Sequence, residues 1–498
     1  MVRKIIEWVN HSRNDSKVFW VMLLVSAVAS GLISLWIGLN QSVWFDEAYS
    51  IYVAKQPLDQ LIALVAADTH PPFYYILLHF WGNTFGWSEL SLRLVSVLSL
   101  TGTIAVAGLL LRRLFGSRIA IGALPFMMIA PMLLRYGFEI RMYAFAALIG
   151  IAATYVLVRI VDDKTKQKMA WLVVYGILVA LGMYSLYYLA LLWMAHAAWL
   201  IYHMVTRKES ISVVYPWVAS VIGAVAIFAP WLPTFLKQTT NGALAPIGQP
   251  LNLENLLGIV SFNSLYQPVW QLSVLASLGV MAVLVVAVVA LKYAFGQKKI
   301  RENLMLLVFY IGIPIAVLMI VSLARSMYVE RYLAHVTIGL VMLVGVALSV
   351  YLINSQTLRA KASVAVVYGV ILIGTVGLAV VGNYNFQRLQ KPEVKQVAAQ
   401  QIHCDTDTTI LANDPYVAIE LSYYLDCAFR FYSTDEKLGG GYAPLSESPQ
   451  QLRDLNDLAS SKVIYVYYGD QPLVIPESYK LDQLQENTNL HVASYSKR

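Results

Sequence analysis

Apolar residues in this chain come in long uninterrupted blocks, without the alternation of a half-buried strand or the stripe of a soluble helix. The first block runs from about Val18 to Leu39. Others follow at roughly 90–112, 118–134, 138–160, 169–187, 188–206, 214–232, 271–293, 303–323, 330–352 and 361–382. Each approaches the ~20 residues that cross the hydrocarbon layer as a helix, so the pattern predicts a polytopic α-helical membrane protein of about 11 spans. One block fits less well. Pro71 to Gly86 is apolar but short and opens on two prolines. It reads as a helix lying along or dipping into the outer leaflet, because counting it as a span reverses every later loop.

Past about residue 385 the pattern changes. Asp, Glu, Gln and Asn return, and strand-like runs at 408–412, 429–433 and 463–468 alternate with helix-like runs at 393–401, 416–425 and 449–459. The reading is a membrane domain over 1–384, with long loops at 40–89 and 233–270, followed by a small α/β domain over 385–498.

Composition agrees with lipid as the solvent: 58% of residues are hydrophobic and only 13% charged. The formal charge of +7 does not point to nucleic acid, since Lys and Arg are spread among the gaps between apolar blocks. They also set the sidedness. With the N-terminus inside, the cytoplasmic connections hold Arg112, Arg113 and Arg118, then Arg159 to Lys168, Arg207 and Lys208, Lys292 to Arg301, and Arg359 with Lys361. The opposite loops are nearly free of Lys, with Lys55 in 40–89 and Lys237 in 233–270. That asymmetry is the positive-inside pattern, and an odd span count leaves the C-terminal domain outside. The first block, preceded by Arg3, Lys4, Arg13 and Lys17, runs past the small residues Ala27 and Ala29 and reads as an uncleaved anchor in a cell inner or plasma membrane. The two cysteines, Cys404 and Cys427, both fall in the outer domain; they are expected to pair there, the alternative being two buried thiols.

Candidate chemistry lies on the outer side. Asp46 and Glu47 follow the first span inside Trp44-Phe45-Asp46-Glu47-Ala48-Tyr49-Ser50. Adjacent carboxylates at a membrane surface are costly; one can take a proton from a hydroxyl, or both can cap the next helix. The loop closes on Asp68-Thr69-His70-Pro71-Pro72, where His70 is either a turn residue or a partner for a phosphate or sugar hydroxyl. Outer-side arginines come in two groups, Arg135 and Arg141 with Glu139, then Arg325 and Arg331 with Glu330 and Tyr332. They either pair with these acids or clamp a phosphate, which a guanidinium fork fits. Trp44, Tyr49 and Tyr52 are candidates to stack on a sugar ring or lipid tail. No nucleotide-binding glycine loop or zinc motif is present; the acidic residues can hold a divalent cation, but no metal site is predicted.

WFDEAYS at the first span's exit, DTHPPFYYILLHFW closing the loop, LSLRLVSVLSL, EIRMYAF and VERYLAH together resemble the membrane glycosyltransferases of the GT-C superfold. By motif the chain is similar to glycosyltransferase family 39, which includes protein O-mannosyltransferases and the lipid A aminoarabinose transferase. The likeness covers roughly residues 15–345. It implies a polyprenyl-phosphate sugar donor and a glycan, lipid or protein acceptor. It also implies an inverting transfer with Asp46 as general base, supported by Glu47. His70, Arg141, Arg325 and Arg331 would face the donor phosphate, and Trp44, Tyr49, Tyr52, Asp68, Glu139 and Tyr332 would line the substrate. Ala48-Tyr49-Ser50 replaces a His-containing stretch of the mannosyltransferases, and His70 stands where the aminoarabinose transferase has Lys. Neither the acceptor nor the sugar therefore carries over. The competing classes are a transporter or flippase for a lipid-linked sugar, and a non-catalytic binding subunit. Charges gathered at one face and the absence of a visible repeat speak against the transporter.

Overall fold

The computed structural model describes residues 15–162, 168–207, 214–240, 253–267, 271–324, 329–380, 394–403, 405, 407–425, 429–434, 451–469, 473–487 and 490–498. By contacts the chain forms two units. One comprises Met1–Gly38, Arg93–Lys237 and Leu244–Val380; the other comprises Leu39–Leu92, Gln238–Ala243 and Val381–Arg498.

The first unit is a helical bundle. Its long helices are α1 (Asp15–Leu39), α5 (Glu89–Phe115), α8 (Tyr143–Asp162), α10 (Leu189–Arg207), α14 (Val274–Gly296), α15 (Lys298–Ala324), α16 (Ala334–Ser355) and α17 (Leu358–Val380). Shorter members are α6 (Ser117–Met128), α7 (Pro131–Gly137), α9 (Lys168–Ser185), α11 (Val214–Phe228), α12 (Leu232–Thr240) and α13 (Leu253–Leu265). Among the described residues nine helices are long and apolar enough to cross a membrane, ten if a bent pair counts as one span. The bent pair is the block expected at 118–134, where α6 and α7 meet at 62°. Pro131 opens α7, and the residue before a proline avoids helical backbone: Ala130 sits at φ −66°, ψ 116°. The block expected at 169–187 is helical too, but its apolar part, Met169–Ser185, is shorter than a straight crossing.

The outward faces need lipid. On α1, Trp20, Leu24, Val28, Leu32 and Trp36 recur every fourth residue and are 43–66% exposed, a stripe that water would not tolerate. The opposite faces pack. Phe19, Ser26, Ser30 and Ile37 on α1 are buried. At one end of the bundle Arg112 stacks on Phe19 and donates to Ser16, Arg113 pairs with Asp162 at 2.9 Å, and Arg207 pairs with Glu302 at 3.3 Å. Arg112, Arg113 and Arg207, from connections assigned to one side, are thus tied to neighbouring helix ends of this unit.

The second unit joins the loop after α1 to the C-terminal tail. The loop folds as α2 (Phe45–Lys55), α3 (Leu58–Ala67) and α4 (Phe73–Phe85). The tail adds α18 (Val394–Gln401), α19 (Pro415–Tyr424) and a six-stranded sheet in the order β3-β2-β1-β4-β6-β5. Its strands are β1 (Thr408–Ala412), β2 (Phe429–Tyr432), β3 (Gln451–Leu452), β4 (Lys462–Tyr468), β5 (Tyr479–Glu486) and β6 (Leu490–Lys497). β3, β2, β1 and β4 run parallel, while β6 and β5 are antiparallel. Central β4 is buried from Val463 to Tyr467, as a strand covered on both faces must be. The helix expected at 449–459 is replaced by β3 and a single 3-10 turn, Leu455–Asp457. Leu452 and Leu458 there enter the sheet core, so their spacing reflects core contacts instead of one helix face. β5 and β6 were not anticipated. Cys404, Cys427 and Gly439–Gly441 lie outside the described residues.

Candidate functional site

The expected site residues fall into two constellations, one in each unit.

In the second unit, α2 begins at the acidic segment. Trp44 is its N-cap, which places Asp46 and Glu47 in the first turn, where carboxylates favour the helix dipole. The two acids do different things. Glu47 is fully buried, and its Oε2 accepts the Trp44 backbone N–H at 3.3 Å, the back-reaching half of a capping box. Asp46 is partly exposed, and its backbone carbonyl accepts from the Ser50 hydroxyl at 2.8 Å. Glu47 therefore supplies a cap at this helix start.

The aromatic residues around them are largely committed to packing. Trp44 and Tyr49 are buried; Tyr49 stacks near Phe45 and meets the Tyr75 ring on α4. Tyr52 is half-buried, and burial raises its phenol above the ordinary value. At the other end of the loop Asp68 ends α3, and its Oδ2 lies 3.4 Å from His70 Nδ1. Thr69 Oγ1 lies 2.9 Å from the same nitrogen. A carboxylate on Nδ1 orients the imidazole and leaves Nε2 as its outward atom.

The first unit gathers the arginines. After the break at Ala130, three side chains pin α7 and the turn that follows it. Ser34 donates to the Leu134 carbonyl at 2.7 Å, Ser96 to the Glu139 carbonyl at 2.5 Å, and Arg93 to Gly38 with its guanidinium over Phe138. Arg93, from LSLRLVSVLSL, is completely buried and holds α1, α5 and this turn together. Within the turn Arg135 pairs with Glu139 at 3.0 Å, with 3% and 1% of the side chains exposed. Internal pairing thus accounts for at least part of Glu139.

Arg141 lies over Tyr143, and Arg331 lies over Tyr332. Tyr332 in turn stacks on Tyr188 at 4.7 Å. The Tyr188 phenol also interacts electrostatically with that of Tyr143. Arg141, Tyr143, Tyr188, Tyr332 and Arg331 therefore form one arginine–tyrosine cluster, built from three separate stretches of chain. The turn bearing Arg331 is fixed from behind, where Tyr310 donates to the His335 carbonyl at 3.0 Å. Beside it, Leu333, Val336, Met132, Phe262 and Ile315 line a small apolar pocket. Tyr143 and Tyr188 were not singled out in the sequence, where both read as interface aromatics. Arg325 lies outside the described residues. Among the described residues no group of three or more His, Cys, Asp or Glu side chains is arranged to hold a metal ion.

Residues 69–233 match the family model described as dolichyl-phosphate-mannose-protein mannosyltransferase. No curated protein matches the chain. Among solved structures it is similar to ArnT from Cupriavidus metallidurans, at TM-score 0.62 in the apo state and 0.63 in the state bound to undecaprenyl phosphate. Identity is 15% in both, over 95% of this chain and 97% and 98% of those chains. It is also similar to the archaeal oligosaccharyltransferase AglB from Archaeoglobus fulgidus, solved with an inhibitory peptide and a dolichol-phosphate. That match has TM-score 0.54 and 12% identity over 90% of this chain and 69% of AglB. The chain is thus a multi-pass helical membrane protein whose overall fold is that of these membrane transferase structures and whose residues 69–233 match a mannosyltransferase family model.

Proposed function

We propose that this protein is an inverting glycosyltransferase that moves a sugar from a polyprenyl-phosphate donor to an acceptor hydroxyl at the outer face of the membrane. Asp46 is the general base. It takes the acceptor proton as the hydroxyl oxygen attacks the anomeric carbon, and the bond from that carbon to the phosphate oxygen breaks on the opposite side. Polyprenyl phosphate leaves with the electron pair. Arg141 and Arg331 meet the charge growing on the phosphate, as preorganised cations do at other leaving groups. His70, held by Asp68, hydrogen-bonds the phosphate or a sugar hydroxyl. Arg325 belongs with these phosphate ligands on the strength of the motif, and the substrate roles of Trp44, Tyr49, Tyr52, Asp68, Glu139 and Tyr332 are proposed on the same ground.

The observation that carries the reading is the division of labour in the acidic pair. Glu47 is buried and caps the N-terminus of α2, while Asp46 beside it is partly exposed. The bound-lipid chemistry of the structurally similar ArnT supports a phosphate lipid as donor. The test is Asp46→Asn in purified protein supplied with a labelled polyprenyl-phosphate sugar and acceptor. Transfer should fall at least about 100-fold with donor binding and thermal stability retained. Unchanged transfer removes the mechanism; donor binding with no transfer by either protein favours a transporter or a silent binding subunit.

A further inference from the structure

The C-terminal tail grips the loop that carries Asp46. Lys395 on α18 donates from Nζ to the Leu39 carbonyl at 3.2 Å and to Glu89 Oε2 at 2.9 Å, and its backbone N–H donates to Ser42 Oγ at 3.3 Å. One side chain thereby joins the residue where the loop begins to the residue where it ends. Tyr423 on α19 donates to the Trp87 carbonyl at 3.3 Å. Nearer the acids, Tyr416, Glu420 and Tyr424 stand one turn apart on α19 and share a face. The Tyr416 ring meets Phe45 edge-on at 4.4 Å, and the Tyr424 hydroxyl accepts the Val43 N–H at 2.6 Å. Glu420, between them, is 1% exposed. These contacts fall on residues 43 and 45, directly before Asp46.

A leucine at position 420 would seal this helix pair more cheaply, because burying a carboxylate costs several kcal/mol before its partners compensate. A carboxylate kept there supplies direction. We propose that Glu420, together with Tyr424, is a positioning residue for Asp46, so that the C-terminal domain holds the catalytic loop in register. The inference rests on the reading of Asp46 as base. The physical need is real: a base displaced by about 1 Å can lose on the order of 100-fold in rate. α2 is a short helix between turns and gains its fixed position from what packs on it.

The experiment compares Glu420→Ala, Glu420→Gln and Tyr424→Phe with the full-length parent, using Lys480→Ala on exposed β5 as control. Amide hydrogen exchange over residues 43–55 should accelerate in Glu420→Ala and Tyr424→Phe but not in the control. In both variants kcat should drop about 10–100-fold with little change in donor KM, and Glu420→Gln should lie closer to the parent. If Glu420→Ala does not fold, Tyr424→Phe carries the same comparison. Unaltered exchange over 43–55, or faster exchange with kcat intact, overturns the proposal. Should Asp46→Asn prove fully active, the functional reading fails by itself, and the positioning of Asp46 for catalysis falls with it. The exchange data then still decide whether the tail holds the loop.

Discussion

Adjacent acids with the same chemistry can have different fates, and backbone geometry decides which. With Trp44 as N-cap the helix begins two residues earlier than an Asp46 N-cap requires, so Glu47 takes the third position and reaches back to the Trp44 N–H. The motif WFDE showed that a helix starts here and that acids suit its first turn, but not which acid would be consumed. Arg135 and Glu139 make a similar point. Their spacing of four residues permits a pair, and the structure buries that pair almost completely. Removing one member of a buried ion pair strands the other. Glu139→Ala should therefore destabilise the protein by about 3–5 kcal/mol, while Arg135→Met with Glu139→Leu should recover much of the loss. Thermal unfolding in detergent, read for both single variants and the double, checks this. Equal additive losses would show that the charges act separately.

At the scale of elements, the spans were legible because lipid demands long apolar runs, and their breaks were legible where proline stands. The 62° bend before Pro131 turns one expected span into two helices and swings the arginine-bearing turn into place. Helix α19 was also readable from sequence. Asp414 caps it by accepting from Tyr416 and Val417, with Pro415 in the first turn. The run 449–459 misled because residues spaced like a helix face serve a sheet core. Helix crossings depend on close approach, which sequence conveys only as scattered glycines. A Cβ at Gly38 would lie 2.7 Å from Arg93 Nη1 and from the Phe138 side chain, whereas one at Gly296 meets nothing. Gly38→Ala should cost about 1–3 kcal/mol by overpacking, and Gly296→Ala should be neutral or slightly stabilising. Melting temperatures of the two variants distinguish them directly.

For the whole molecule, arginines of the basic connections are tied to neighbouring helix ends of the helical unit, where Arg113 meets Asp162 and Arg207 meets Glu302. The orientation proposed from the positive-inside pattern puts the N-terminus in the cytoplasm and the tail outside. In a background with Cys404 and Cys427 replaced by Ser, a cysteine at Lys480 should react with a membrane-impermeant maleimide in intact cells. One at Lys298 should react only after permeabilisation. The reverse pattern would invert the proposed topology and put Asp46 in the cytosol.

The amino-acid sequence alone determined the solvent, the number of crossings to within one or two and the tail's α/β character, and it offered the acids and arginines proposed for the site. These follow from hydrophobicity, local backbone preference and motif, which are properties of neighbouring residues. Tertiary structure alone decided that Glu47 is the cap, that Tyr143, Tyr188 and Tyr332 gather around the arginines, and that α19 grips the loop before Asp46. Each of those joins residues distant along the chain, and nothing local in the sequence records which long-range contacts packing will make.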